Sequence, residues 1–264
     1  MPSLFTPSHR GGSGSPLVCI HGFTDTWRTW ELVLGALERR HDVLAPTLAG
    51  HAGGPPLEGE LDDGTLAAAV ERAMDEAGFE TATIVGNSLG GFVALQLAAR
   101  DRARSVVALA PAGGWADGDE SWREMLAIYP AMQDQLRAGA AHLEAMVASS
   151  AGRRLVTRLL TTNFDHIPAD LLVHQMQGVL ACAVRPMVDY ALREGYHLEA
   201  ENITCPVRIV WGTDDKLLPW PSAAARFRED WLPQADWIEL DGVGHCPQLD
   251  VPLETAQLIL GFTG

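Results

Sequence analysis

The chain predicts an α/β protein with a mostly parallel open sheet, helices on both faces and an inserted helical block. Three observations point there. Short apolar runs of strand length alternate with segments of helical period in the first and last parts of the chain. The block 113–202 between them carries helical periods and no clear strand pattern. One serine stands among glycines at the point where a strand ends and a helix begins, in Gly86-Asn87-Ser88-Leu89-Gly90-Gly91.

The elements follow in order. "RGGSGSP" near the start reads as a flexible, turn-rich stretch. "LVCI" (17–20) is a brief apolar run ending at His21-Gly22, a buried strand. Residues 29–39 place Trp30, Val33, Leu34 and Leu37 at helical spacing. "DVLAP" (42–46) is a second strand, stopped by Pro46, and the Gly- and Pro-rich loop after it should be irregular. Residues 64–78 form a helix closed by Gly78. Residues 81–86 form a third strand, 89–100 a helix and 105–111 a fourth strand. "PVRIVWG" (206–212) and "ADWIEL" (235–240) supply two more strands, and a last helix runs through "PLETAQLILGF". In the middle block Pro130, Pro168 and Pro186 break the helical periods. The expected organisation is a core of 1–112 and 203–264 with a helical insertion of 113–202 between two strands of one sheet.

Composition narrows the class. Apolar residues make up 47% and charged residues 20% of the 264, the profile of a packed globule. A net charge of −15 argues against a nucleic-acid groove and against docking on anionic lipid. No apolar run approaches a membrane span or resembles a signal peptide. Cys19, Cys182, Cys205 and Cys246 show no C-x-x-C pairing, and no histidine or cysteine pair has metal-ligand spacing. A reduced cytoplasmic protein without metal or cofactor is expected, and a homodimer is compatible with it.

The glycines around Ser88 have a physical reason. G-x-S-x-G between a strand and a helix is a nucleophile elbow, a turn so tight that side chains two residues before or after the serine would strike neighbouring backbone. The serine hydroxyl then stands at the carboxyl end of the sheet, and the following helix points its N-terminus at the site. A serine nucleophile needs a base, and the base an orienting acid, in the chain order serine, acid, histidine. "VWGTDDKLLP" (210–219) offers Asp214 and Asp215 after one strand, and "LDGVGHCPQLDVP" (240–252) offers His245 after the last. All three positions follow carboxyl ends of strands, where open α/β sheets gather their sites.

On His21-Gly22-Phe23, the elbow, Trp211-Gly212-Thr213-Asp214-Asp215 with Pro219, and Gly244-His245-Cys246-Pro247, the chain resembles the α/β-hydrolase superfamily. The likeness runs from about residue 16 to 262, leaving out the insertion. It implies Asp215 as the acid and leaves Asp214 a solvated or turn-capping carboxylate. It implies an oxyanion hole of the Phe23 and Leu89 N–H groups, a structural role for His21, and a cap at 113–202. Two departures stand out. Only a short segment precedes the first parallel strand, so the family's N-terminal hairpin is expected shortened or partly lost. The loop "PTLAGHAGG" lacks the usual opening Asp and Gly-His-Gly.

The expected reaction is hydrolysis of small or medium apolar carboxylic esters through an acyl-enzyme, with a pocket drawn from Phe23, Trp27, Trp115, Trp122, Met125, Leu218 and Cys246. A carbon–carbon hydrolase of the meta-cleavage-product type is the first alternative. It would need a cation for the substrate carboxylate, and Arg185 is the cap arginine available. A non-turnover small-molecule receptor on the same fold is the second. The serine speaks against the epoxide hydrolase and haloalkane dehalogenase branches, which use Asp at that position.

Overall fold

The computed structural model describes residues 5–263; the outermost residues of the expected core, 1–4 and 264, lie outside the described residues. Seven strands form one sheet: β1 (Ser8–Gly12), β2 (Ser15–Ile20), β3 (His41–Pro46), β4 (Ala82–Asn87), β5 (Ala103–Leu109), β6 (Val207–Gly212) and β7 (Asp236–Leu240). Their order across the sheet is β1-β3-β2-β4-β5-β6-β7. Among the described residues only β1 runs antiparallel, against β3.

The strand at the start corrects an expectation. "RGGSGSP" is not simply a flexible turn: Ser8–Gly12 is an edge strand paired with Asp42 to Pro46. Half-exposed and built on Gly11 and Gly12, it has no apolar alternation to announce it. Glycine is needed in the turn that follows. A side chain on Gly12 would meet the His41 carbonyl at 2.2 Å, and Gly12 also has a φ of +79°.

The central strands are apolar because both faces of the sheet are covered. Along β2, Leu17 and Cys19 face one side while Val18 and Ile20 face the other; along β5, Val107 and Leu109 oppose Val106 and Ala108. The first face packs on helix α1 (Glu31–Leu37) through Val33, Leu34 and Leu37. The opposite face packs on α2 (Thr65–Glu76) and α3 (Leu89–Ala99). Helix α3 is apolar nearly all round because it is buried nearly all round.

Between β5 and β6 the chain is helical: α4 (Ser121–Ala138), α5 (Leu143–Val147), α6 (Ser150–Thr157), α7 (Ala169–Ala181) and α8 (Val184–Glu194). These helices carry small apolar cores of their own, one around Leu143, Ile167 and Leu171, another around Leu126, Val184 and Val188. After β7 come α9 (Pro247–Asp250) and α10 (Pro252–Leu260), which returns Ala256 and Ile259 to the α1 face. Among the described residues no helix is long and apolar enough to cross a membrane.

Candidate active site

Ser88 sits between β4 and α3 with φ +56° and ψ −120°, a backbone region that non-glycine residues rarely occupy. The neighbouring glycines make that turn feasible. A Cβ on Gly86 would lie 2.1 Å from the Gly90 carbonyl oxygen, and one on Gly90 would lie 2.3 Å from that of Ile20. Two hydrogen bonds lock the turn: the Ser88 N–H donates to the Leu109 carbonyl at 2.9 Å, and the Ser88 carbonyl accepts from the Ala112 N–H at 3.0 Å. Gly22 lies so near that a side chain there would meet the Ser88 Cβ at 3.2 Å. The loop after β2 therefore presses directly on the elbow.

His245 and Asp215 meet from the loops after β7 and β6. The His245 Nδ1–H donates to Asp215 Oδ2 at 2.7 Å, and both side chains are buried. Asp215 Oδ1 accepts the Leu217 and Leu218 N–H groups at 2.9 and 2.7 Å. A carboxylate held by three donors has one orientation, and it fixes the ring with Nδ1 protonated and Nε2 free to accept. That Nε2 is buried with no hydrogen-bond partner among the described residues. Asp214, next door, is exposed.

Ser88, Phe23 and Tyr129 border two cavities. The larger, about 330 Å³, also reaches His245, Cys246, Asp25 and Gln175. The smaller, about 100 Å³, reaches Leu89, Phe92, Met125, Leu218 and Tyr196. Of the expected pocket residues, Phe23, Met125, Leu218 and Cys246 line these spaces, and three tryptophans do not. Trp27 stacks on His9 and donates its indole N–H to Thr6 Oγ1 at 2.8 Å. Trp115 is buried beside Tyr196 in the core over the α3 face. Trp122 packs edge-on to Tyr196 under the Arg123 guanidinium. Arg185 also stays outside: it is exposed and pairs with Asp134 at 2.7 Å.

His21 is a loop brace. Its Nδ1–H donates to the Gly22 carbonyl at 2.7 Å, and Nε2 accepts the Leu48 N–H at 2.9 Å. Burial, with His51 4.9 Å away, keeps the ring neutral by pushing its pKa well down. Cys246 is an inert wall. Burial pushes its thiol pKa well up, and Sγ–H donates to Asn87 Oδ1 at 3.4 Å.

Two site residues carry no sequence signal strong enough to pick out. Asn87 clamps the elbow to the histidine loop. Its Nδ2 donates to the carbonyls of Leu109 and His245 at 3.1 and 3.0 Å, and its Oδ1 accepts from Gln248 Nε2 at 3.1 Å. Asp250 ties the same loop to the cap, accepting from the N–H groups of Gly244, Thr162 and Asn163. Both join segments far apart in sequence. An Asn beside Ser88 was visible, but its partners were not.

A family model described as "alpha/beta hydrolase fold" matches residues 15–252. An epoxide hydrolase of Mycobacterium tuberculosis, EphH, is 35% identical over 209 residues, covering 76% of this chain and 95% of that protein. Among solved structures, an esterase from Rhodococcus superposes with a TM-score of 0.73 at 23% identity, covering 96% of this chain and 92% of that one. A meta-cleavage product hydrolase from Pseudomonas fluorescens superposes with a TM-score of 0.70 at 19% identity, covering 97% and 92%. With the strand order, the strained elbow and the matched core in agreement, this chain belongs to the α/β-hydrolase family.

Proposed function

We propose that the protein is a serine hydrolase of carboxylic esters with a short acyl group, working through an acyl-enzyme. One observation carries this reading: a serine on a strained strand–helix turn opens into the same cavity as a buried histidine whose other nitrogen is fixed by a carboxylate. In the first step Ser88 Oγ bonds to the acyl carbon while its proton passes to His245 Nε2. The Phe23 and Leu89 N–H groups receive the oxyanion; the Leu89 N–H opens a helix and has no partner within it. The intermediate then collapses, the acyl–oxygen bond breaks, and His245 returns the proton to the leaving alcohol. Water, deprotonated by His245, attacks the acyl carbon and frees Ser88 and the acid. Throughout, Asp215 holds the ring and stabilises the imidazolium.

His245 protonates the leaving group, and it lies on the larger lobe, which therefore takes the alcohol. The smaller lobe, beside Leu89, takes the acyl chain. At about 100 Å³ against about 330 Å³ it is the smaller of the two spaces and suits the smaller half of the substrate.

The EphH likeness raises epoxide opening as a rival, and Ser88 argues against it. Serine attack on an epoxide carbon would leave an ether on the enzyme, with no carbonyl for water to attack. Carbon–carbon hydrolysis of a carboxylate-bearing substrate finds no support at Arg185, which faces solvent. The cysteines are free, which suits a reducing compartment such as the cytoplasm.

Ser88→Ala tests the reading. Turnover of p-nitrophenyl acetate should fall on the order of 10³-fold or more with the melting temperature nearly unchanged. A clean variant retaining comparable activity would rule out Ser88 as nucleophile.

A further inference from the structure

Among the described residues, Asp25 is the one acid in the wall of the larger lobe that the proposed chemistry leaves unused. It lies in the loop after β2 and borders the lobe together with Ser88 and His245. Its Oδ1 accepts the Thr26 N–H at 2.8 Å, and its Oδ2 accepts from Gln175 Nε2 of helix α7 at 2.8 Å. Among the described residues no lysine, arginine or histidine pairs with it, and burial raises its pKa to about 6. That places it well on the ionised side at about pH 8. Met132, Leu143, Met146, Leu172 and Met176 make most of the remaining wall apolar, beside polar groups such as Gln135, Thr157 and Thr161. The cation that borders the lobe, Arg158, lies exposed. His174, beside Gln175, stays neutral because burial lowers it to about 4.

A charged carboxylate facing an apolar cavity without a counter-ion is costly, and such groups gather at functional sites. Hydrogen bonds from Thr26, Gln175 and the Thr29 side chain still leave one of its roughly four acceptor positions open. Resting on the ester reading, we propose that Asp25 is the specificity-determining residue of the alcohol lobe, selecting substrates whose leaving group carries a cationic head and turning away those that carry a carboxylate. Gln175 holds the carboxylate in place, so the cap and the core together set the charge preference.

The test uses three acetate esters at about pH 8: acetylcholine, its neutral isostere with carbon in place of nitrogen, and acetylated glycolate. For the wild type, kcat/KM should exceed that of the neutral ester by at least about tenfold for acetylcholine, and should fall at least about tenfold below it for the glycolate. In Asp25→Asn, and in the smaller neutral Asp25→Ser, the acetylcholine preference should shrink to within about threefold. A structural link to Gln175 would be kept by Asn and would not move this ratio. A wild-type ratio near one, or a ratio unchanged in both variants, overturns the proposal. If no acetate ester is turned over, the ester reading fails by itself, and calorimetry on Ser88→Ala still decides the role of Asp25. Choline should then bind more tightly than its neutral isosteric alcohol, with the difference lost on adding Asp25→Asn. Equal binding of the two overturns the proposal.

Discussion

The sheet core and the helical cap build their sides of the cavity in opposite ways. The core side is over-determined. Asp215 accepts three hydrogen bonds, Asn87 joins three separate segments, and the elbow is closed by backbone contacts that only glycine permits. The cap side is mostly soft: Met132, Leu136, Met146 and Val179, with the Gln175–Asp25 contact among its few polar ones. Reacting groups must hold their positions to fractions of an ångström, whereas an apolar wall only has to exclude water and fit. On the proposed reading, chemistry belongs to the core and substrate choice largely to the cap, with Asp25 at the seam.

The largest expected effect on the core side is at the acid. Asp215→Asn should reduce kcat by about 10²–10⁴-fold, because an amide that donates to Nδ1 forces the wrong tautomer. Asp214→Asn, on an exposed neighbour, should change kcat less than about threefold. Steady-state kinetics on both variants check the pair, and the reverse ranking would break the contrast between a fixed and a free carboxylate.

A smaller effect is expected at the clamp. Asn87→Ala leaves the buried His245 carbonyl and Gln248 amide each short of a partner. The expected cost is about 2–3 kcal/mol of stability, with kcat reduced about tenfold as the histidine loop loosens. Thermal melts and kinetics together check this. Unchanged melting would show that the clamp adds nothing to the rigidity of the core side.

Acid should separate the two sides more gently. His21, His51 and His174 are buried neutral, with His51 and His174 lowered to about 4. The unfolded chain binds protons at these sites from about pH 6.5 downward while the fold does not, so stability falls as the pH drops from 6.5 towards 4. For His51 the full loss is at most about 3 kcal/mol. Asp25 acts with the opposite sign. Raised to about 6, it is protonated in the fold before the unfolded chain, and so adds stability over part of the same window. Melts from pH 7 to 4 should show a net decline that steepens in Asp25→Asn. A flat profile would contradict the buried neutral histidines.

Legibility in the sequence follows the range of the interactions. The elbow is readable because its glycines answer a clash within a few residues, and the strands because burial on both faces leaves apolar runs. The order serine, acid, histidine is readable because the candidates follow carboxyl ends of strands, but position alone leaves Asp214 and Asp215 both open, and it is the family resemblance that implies Asp215. What escapes is long-range or lacks a pattern. Asn87 and His245 meet across 158 positions, and Asp25 meets Gln175 across 150. Trp27, Trp115 and Trp122 show why residue type does not assign a wall: an aromatic ring serves a core or a pocket equally well, and only packing decides. The edge strand Ser8–Gly12 escapes because its pairing uses backbone and needs no apolar side chain.

The most direct test is to trap the acyl-enzyme. The protein is quenched in acid during turnover of p-nitrophenyl acetate, its intact mass is recorded, and the modified peptide is sequenced by mass spectrometry. The expected result is one acetyl group per chain, carried on Ser88 and absent from Ser88→Ala, with a matching burst of p-nitrophenol. An acetyl group on another residue, or steady turnover in Ser88→Ala at the wild-type rate, would contradict a serine nucleophile at the elbow.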